Sequence, residues 1–171
     1  MLHYFKLNNK VSIFLTHHLQ THSHTFMFCP FLVPHSLIHL PREPVTPGCL
    51  ACICEAMSGC TPGCEGDTCG MFRLTWAFWA DSGKPILPGL TADHPDAYRS
   101  CSEDYGCASL AIQNYMTKYA QDCNGDGIIN CHDYIAIHTQ GGYGCKNTVP
   151  LRFLGRFDQC VFQSIGKSIV I

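Results

Sequence analysis

The sequence predicts a small, helix-rich α+β domain stapled by disulfides. Twelve of its thirteen cysteines fall within residues 49–160. Apolar residues in that region recur mostly at helical spacing, and Gly, Pro and Asn clusters cut the chain into short pieces with few alternating runs. A chain of 171 residues is long enough for one domain with a real core and too short to expect two.

The twelve cysteines are Cys49, Cys52, Cys54, Cys60, Cys64, Cys69, Cys101, Cys107, Cys123, Cys131, Cys145 and Cys160, an even set once Cys29 is put aside. They allow up to six disulfides. Each would stabilise the fold by roughly 2–4 kcal/mol, mainly by restricting the unfolded chain, as suits a small extracellular domain. Zinc is the competing use, but the spacings do not repeat as CxxC…CxxC, and only His132 and His138 lie near them.

"CLACICEAM" carries apolar residues around most of a short helix, with Met57 in its last turn and Gly59 as the stop. "TPGCEGDTCG" reads as a tight, cysteine-pinned loop. "MFRLTWAFWADSG" reads as a second helix, with Leu74, Ala77 and Phe78 on one face and Gly83 ending it. After the proline-rich "KPILPGLTADHP", Pro95 is placed to start a helix over "DAYRSCSEDY". "CASLAIQNYMTKYA" is the clearest helix, its core stripe Ala108, Ala111, Ile112, Tyr115 and Tyr119. "DCNGDGIIN" breaks it, and "CHDYIAIHTQGG" forms a short last helix capped by Asn130, with Asp133 three places on. A small β element is expected among these helices without a definite place.

Residues 1–48 differ in kind. They hold seven of the ten His residues, no Asp, and Glu43 as their one acidic residue. Lys6 and Lys10 make a basic start, but "VSIFL" is short and "FMFCPFLV" is broken by Pro30, so they read as an irregular, signal-like leader. "LPREPVTPG" then reads as a linker into the folded part, residues 49–160, with 161–171 as a tail. No run approaches the roughly 18 apolar residues of a membrane span. The net charge of −2 conceals a folded part with 8 basic and 12 acidic side chains after residue 48. An acidic domain gains no electrostatic help toward nucleic acid or an anionic membrane, which argues against both as partners.

The segments "CLACICEAMSGC", "CGMFRLTWAFWADSGKP", "YRSCSEDYGCASLAIQNYMTKYAQDCNGDG" and "CHDYIAIHTQGGYGC", followed by Cys160, resemble in order the invertebrate-type lysozymes, or destabilase family, and most of all its insect branch. The resemblance covers residues 49–160, and "CASLAIQNYM" with "CxDYxxIHxxGGxGC" makes it specific. It implies a secreted lysozyme-like domain, monomeric, that hydrolyses the β-1,4 MurNAc–GlcNAc bond of bacterial peptidoglycan in defence or digestion, without a cofactor.

Glycoside hydrolysis needs one protonated carboxyl to assist the leaving oxygen and one ionised carboxylate to attack or stabilise the sugar cation. The resemblance puts the acid at Glu of "ESGC", and that place is Met57 here. It makes Asp67 of "CEGDTC" the candidate second carboxylate, on a loop several residues shorter than is usual for the family. Glu55 leaves the helix about 200° away from Met57. Glu65 sits on a loop where an exposed carboxyl is ionised and a poor acid. Some relatives are also described as isopeptidases, with a loop Ser, a Lys of "FQIK" and a His of the last helix. Here the loop Ser is absent, the Lys place is Thr75, and only His138 remains, so a structural role is favoured for it.

The stretch "DCNGDGIINCHD" fits a calcium-loop pattern, with Asp122, Asn124, Asp126, the Ile128 carbonyl, Asn130 and Asp133 at positions 1, 3, 5, 7, 9 and 12. Against calcium stand the short Asp at the last position, a Cys123–Cys131 bridge that would tie the loop, and the turn chemistry of Asn-Gly-Asp-Gly, so a plain turn ranks ahead. Trp76 and Trp79 are candidate sugar-stacking platforms, although helical spacing puts at least one of them in the core. Activity is expected to be weak or lost through Met57; the alternative is a secreted glycan-binding or immune module that does not cut.

Overall fold

Thr46 accepts a hydrogen bond from the Cys49 N–H, and Pro47 occupies the first turn, so helix α1 runs over Pro47–Ser58. The structure, a computed structural model, describes residues 43–168, and their side chains through Ser164. The leader reading of residues 1–42 lies outside the described residues. Within the expected linker, Val45 is fully buried and both its backbone groups bond to the Gln113 side chain, so the folded part reaches back beyond Cys49. α1 buries Leu50, Cys52, Ile53, Cys54 and Ala56 and is the central helix. It ends as expected at Gly59 (φ 64°), whose N–H donates to the Glu55 carbonyl as in a left-handed cap, while the Cys60 N–H reaches the Cys54 carbonyl.

The β element lies in the segment between α1 and the second helix. β1 (Cys64–Glu65), β2 (Thr68–Cys69) and β3 (Leu74–Thr75) form an antiparallel sheet in that order. Cys64 opposes Cys69 and is bridged to it, and Gly66 (φ 60°) with Asp67 makes the two-residue turn, glycine first as the tight hairpin turn demands. The second helix is therefore shorter than the periodicity over 71–83 predicts. Met71–Arg73 turn, Leu74 and Thr75 pair with β2, and α2 is only Trp76–Asp81, started by the Thr75 side chain accepting from the Phe78 N–H. Leu74 and Phe78 face the core as expected, but Ala77 is exposed.

Helices α3 (Ala97–Glu103), α4 (Tyr105–Tyr119) and α5 (Cys131–Gln140) fall where periodicity places them. Gly70 lets α3 approach the sheet: a Cβ there would lie 1.6 Å from the Ser102 carbonyl oxygen, so no other residue fits. On α4, Ala108, Ala111, Ile112 and Tyr115 are buried and Tyr119 is half-buried. The tail expected from residue 161 is instead the end of a sixth helix, α6 (Leu151–Ser168), which packs along α1 and buries Phe157. Six disulfides join all twelve framework cysteines: Cys49–Cys131, Cys52–Cys160, Cys54–Cys60, Cys64–Cys69, Cys101–Cys107 and Cys123–Cys145. The bridge considered between Cys123 and Cys131 does not form; those cysteines reach to Cys145 and Cys49.

Candidate functional site

The hairpin presents Asp67 at its tip, exposed to solvent. Arg73 fixes the loop that carries it. Its Nη1 donates to the carbonyls of Gly63 and Gly70, both at 2.8 Å, and of Thr61 at 3.4 Å, while its Nε lies 3.9 Å from the exposed Glu65 carboxylate. Tyr98 of α3 ties the hairpin to its neighbours, its hydroxyl donating to the Leu74 carbonyl at 2.5 Å and leaning on that of Asp67 at 3.3 Å. Burial, and then the Asp67 charge, raise the Tyr98 pKa, so the phenol stays a neutral donor.

Beyond Tyr98 opens a cavity of about 310 Å³, lined by Trp76, Trp79, Lys84, Asp93, His94 and Tyr98 among others. The two candidate platforms divide as their spacing suggested. Trp79 is core, 1% exposed, its indole N–H donating to the Pro85 carbonyl at 2.8 Å. Trp76 is 56% exposed and offers its ring to the cavity, tilted 58° from Trp79. The Lys84 ammonium stands over both rings, 5.5 Å from the Trp76 centroid and 5.9 Å from that of Trp79. Aromatic face, cation and phenol together suit a saccharide.

Met57 is half-buried in the last turn of α1 and packs against the main core, where Met71 also sits. The next residue, Ser58, donates to the Met71 carbonyl at 2.5 Å and accepts from the Thr61 N–H, binding the helix end to the hairpin segment. Glu55 is exposed on another face, in a groove of about 730 Å³ between α1 and α6 with Arg156 and Gln163. Glu65 is held by Arg73 with its side chain 84% exposed. Neither carboxyl sits in an apolar setting.

Thr75, at the place of the isopeptidase Lys, is spent as the cap of α2. His138 is buried, its Nε2 bonded to the Phe72 carbonyl at 2.8 Å and its ring against Phe78 at 5.2 Å. Burial depresses its pKa to about 4, so the neutral imidazole donates from Nε2, in a structural role.

The loop that fits the calcium pattern is organised around its own backbone. Asp133, at the last liganding position, is fully buried and caps α5. Its Oδ2 accepts from Asn130 N–H at 2.8 Å, and its Oδ1 from Cys123 N–H at 2.8 Å and Asn124 N–H at 3.4 Å. Asp122 accepts from Gly125 and Gly127, and Asp126 from Ile128 and the Asn124 amide. No three His, Cys, Asp or Glu side chains converge to hold a metal among the described residues. The Asp122 and Asp126 carboxylates are engaged by the loop's own backbone N–H groups, as in Asx turns.

Arg73, Tyr98 and Lys84 are absent from the sequence-level site. Tyr98 reaches partners 24 and 31 residues away, and Arg73 and Lys84 act through carbonyls and ring faces that become neighbours only when the hairpin and α2 have formed.

The chain matches the Destabilase family over residues 46–160. It is 33% identical to a lysozyme of Magallana gigas over 120 residues, covering 67% of this chain and 80% of the relative, and 32% identical to invertebrate-type lysozyme 3 of Caenorhabditis elegans over 66% and 84%. Among solved structures, Meretrix lusoria lysozyme in complex with the Aeromonas hydrophila protein PliI superposes with a TM-score of 0.57 at 31% identity, covering 70% of this chain and 93% of that one. Tapes japonica lysozyme superposes with a TM-score of 0.53 at 31% identity, over 69% and 89%.

Proposed function

The chain belongs to the destabilase family of invertebrate-type lysozymes, and from that premise we propose that it is a secreted binder of peptidoglycan-type glycan whose glycosidase turnover is weak or lost. Met57 carries this reading. General-acid catalysis requires a proton donor at the leaving oxygen, and a thioether at the end of α1 has none. Asp67 is the remaining candidate carboxylate, exposed on a hairpin that Arg73 braces through the Gly63 carbonyl and Tyr98 reaches at the Asp67 backbone carbonyl. The exposed Trp76 ring and the Lys84 cation favour continued recognition of sugar, and hence the non-cutting module as the companion reading. Six disulfides support an extracellular site of action.

Release of reducing ends from peptidoglycan tests the proposal. The natural chain should run about 10²–10⁴-fold below an active lysozyme, the usual worth of a general acid. Met57→Glu should raise the rate, since a carboxyl beside the apolar wall of α1 would be desolvated and hold its proton near neutral pH. Recovery will be partial, because the short hairpin sets Asp67 at its own separation. A natural chain as fast as an active lysozyme, or activity abolished by Glu55→Gln and unmoved by Met57→Glu, would place the acid elsewhere.

A further inference from the structure

A file of aromatic rings leads from the core to the surface on a side of the protein that shares no lining residue with the Trp76 cavity. Phe78 stacks on Tyr115 (3.9 Å, 16°), Tyr115 meets Tyr119 at 4.5 Å, and Tyr119 meets Tyr143 edge-on at 5.6 Å. The last ring is 95% exposed. An exposed aromatic on a loose loop would mean little, but this loop is built. Gly142 lies flat against Tyr119, where a Cβ would come within 2.4 Å of the ring, and Gly142 N–H donates to the Tyr115 hydroxyl. The Gln121 amide closes on the Gly142 carbonyl, and Cys145 is bridged to Cys123. So the backbone that carries Tyr143 has a tightly bonded support and the ring meets Tyr119 edge-on, which lowers the ordering cost of binding.

Beside it, Lys118 places its ammonium 4.8 Å from the Tyr119 centroid, and Lys146 flanks the same open groove of about 700 Å³. Neither lysine joins an ion pair among the described residues. Asp81 also acts on Lys118 through space, yet two cations to one carboxylate beside an exposed aromatic are a local reversal of charge in a folded part with an acidic excess. Tyrosine faces stack on the apolar face of a sugar ring, and ammonium groups take an anionic substituent on it.

We propose that Tyr143, Tyr119, Lys118 and Lys146 form an accessory site for an acidic saccharide, a sugar face bearing a carboxylate or a phosphate, independent of the Trp76 cavity and of whether Met57 has cost the protein its chemistry. The site would hold the protein on a polymeric wall without taking part in hydrolysis.

Calorimetric titration of the full chain tests it with three probes: a muramic-acid disaccharide (carboxylate), a glycerol-phosphate oligomer (phosphate) and neutral chitotriose. At least one acidic probe should bind, and which one identifies the source of the anion. Tyr143→Ala should weaken that binding about fivefold or more, the loss expected of a central anchor, and Tyr143→Phe should restore it. Lys118→Gln with Lys146→Gln should remove its salt dependence. Chitotriose binding should be unchanged in these variants and weakened by Trp76→Ala. If neither acidic probe binds, or if the bound one is indifferent to Tyr143→Ala and to the lysine pair, the site does not exist. Because Tyr143 is exposed, its variants should fold like the parent, which matching melting curves verify.

Discussion

His138 shows how one buried atom sets a pH dependence for the whole protein. Its neutral ring donates to the Phe72 carbonyl inside the core, and its pKa falls from 6.5 to about 4, burial outweighing the hydrogen bond. Above pH 6.5 the imidazole is neutral whether the chain is folded or not, so it adds no slope. Between 6.5 and about 4 the unfolded chain takes a proton that the folded one refuses, so stability falls as the pH falls. Below about 4 both forms are charged and the loss levels off. The full swing is roughly 3 kcal/mol. Denaturant melts of the natural chain and of His138→Gln at several pH values should diverge by that amount across the window. Parallel curves would mean that the folded protein protonates His138 freely. The residue scale also divides what a motif can reveal from what it cannot. Met57 and Asp67 are candidates picked out by their places beside Cys60 and Cys64, whereas Arg73 takes its position through the carbonyls of residues 61, 63 and 70, partners that appear only once the hairpin has closed.

At the level of elements, the loop and cap around Asp133 behave as one unit. Three backbone N–H groups converge on a single fully buried carboxylate, so Asp133→Ala leaves all three without their acceptor. It should cost about 2–4 kcal/mol, above an ordinary cap because the bonds are charge-assisted and buried. Melting temperatures with millimolar calcium and with chelator should coincide. A calcium-dependent rise abolished by Asp126→Ala would restore the metal reading of this loop. The helices were legible wherever one element buries one stripe, as α4 does. Residues 71–83 mislead because Leu74 and Phe78 fall four apart and both face the core, yet one belongs to a strand and the other to a helix. Two-residue strands are too short to show alternation, so the sheet leaves no periodic trace. For α6 the trace exists: Phe153, Leu154, Phe157, Cys160 and Val161 form a helical stripe, and all are buried or half-buried. Only Cys160 of that segment belongs to the family motifs, which hides the stripe from a motif-led reading.

Across the whole molecule, the covalent framework divides into two kinds of bridge, and their sequence separations predict unequal worth. Cys54–Cys60, Cys64–Cys69 and Cys101–Cys107 each close a local turn, with separations of 6, 5 and 6. Cys49–Cys131 and Cys52–Cys160 instead anchor α1 to α5 and to α6, across separations of 82 and 108. A cross-link stabilises chiefly by removing loop-closure entropy from the unfolded chain, which grows with the logarithm of loop length. The long Cys52–Cys160 bridge should therefore contribute about 4.8 kcal/mol and the short Cys64–Cys69 bridge about 2.2 kcal/mol. Paired replacement by alanine separates them: Cys52→Ala with Cys160→Ala should lower the unfolding free energy about twice as much as Cys64→Ala with Cys69→Ala. Packing runs the same way, since α6 covers α1 and buries Phe157 against the main core, so freeing that helix exposes apolar surface as well. The short bridge should show its value in another measurement. Without it, the hairpin that carries Asp67 rests on Arg73 and Tyr98, and protease cleavage between residues 64 and 69 should quicken by more than the global loss accounts for. Equal losses from the two pairs would mean that the unfolded chain is already held compact near its ends, and that α1 and α6 associate before the bridge forms.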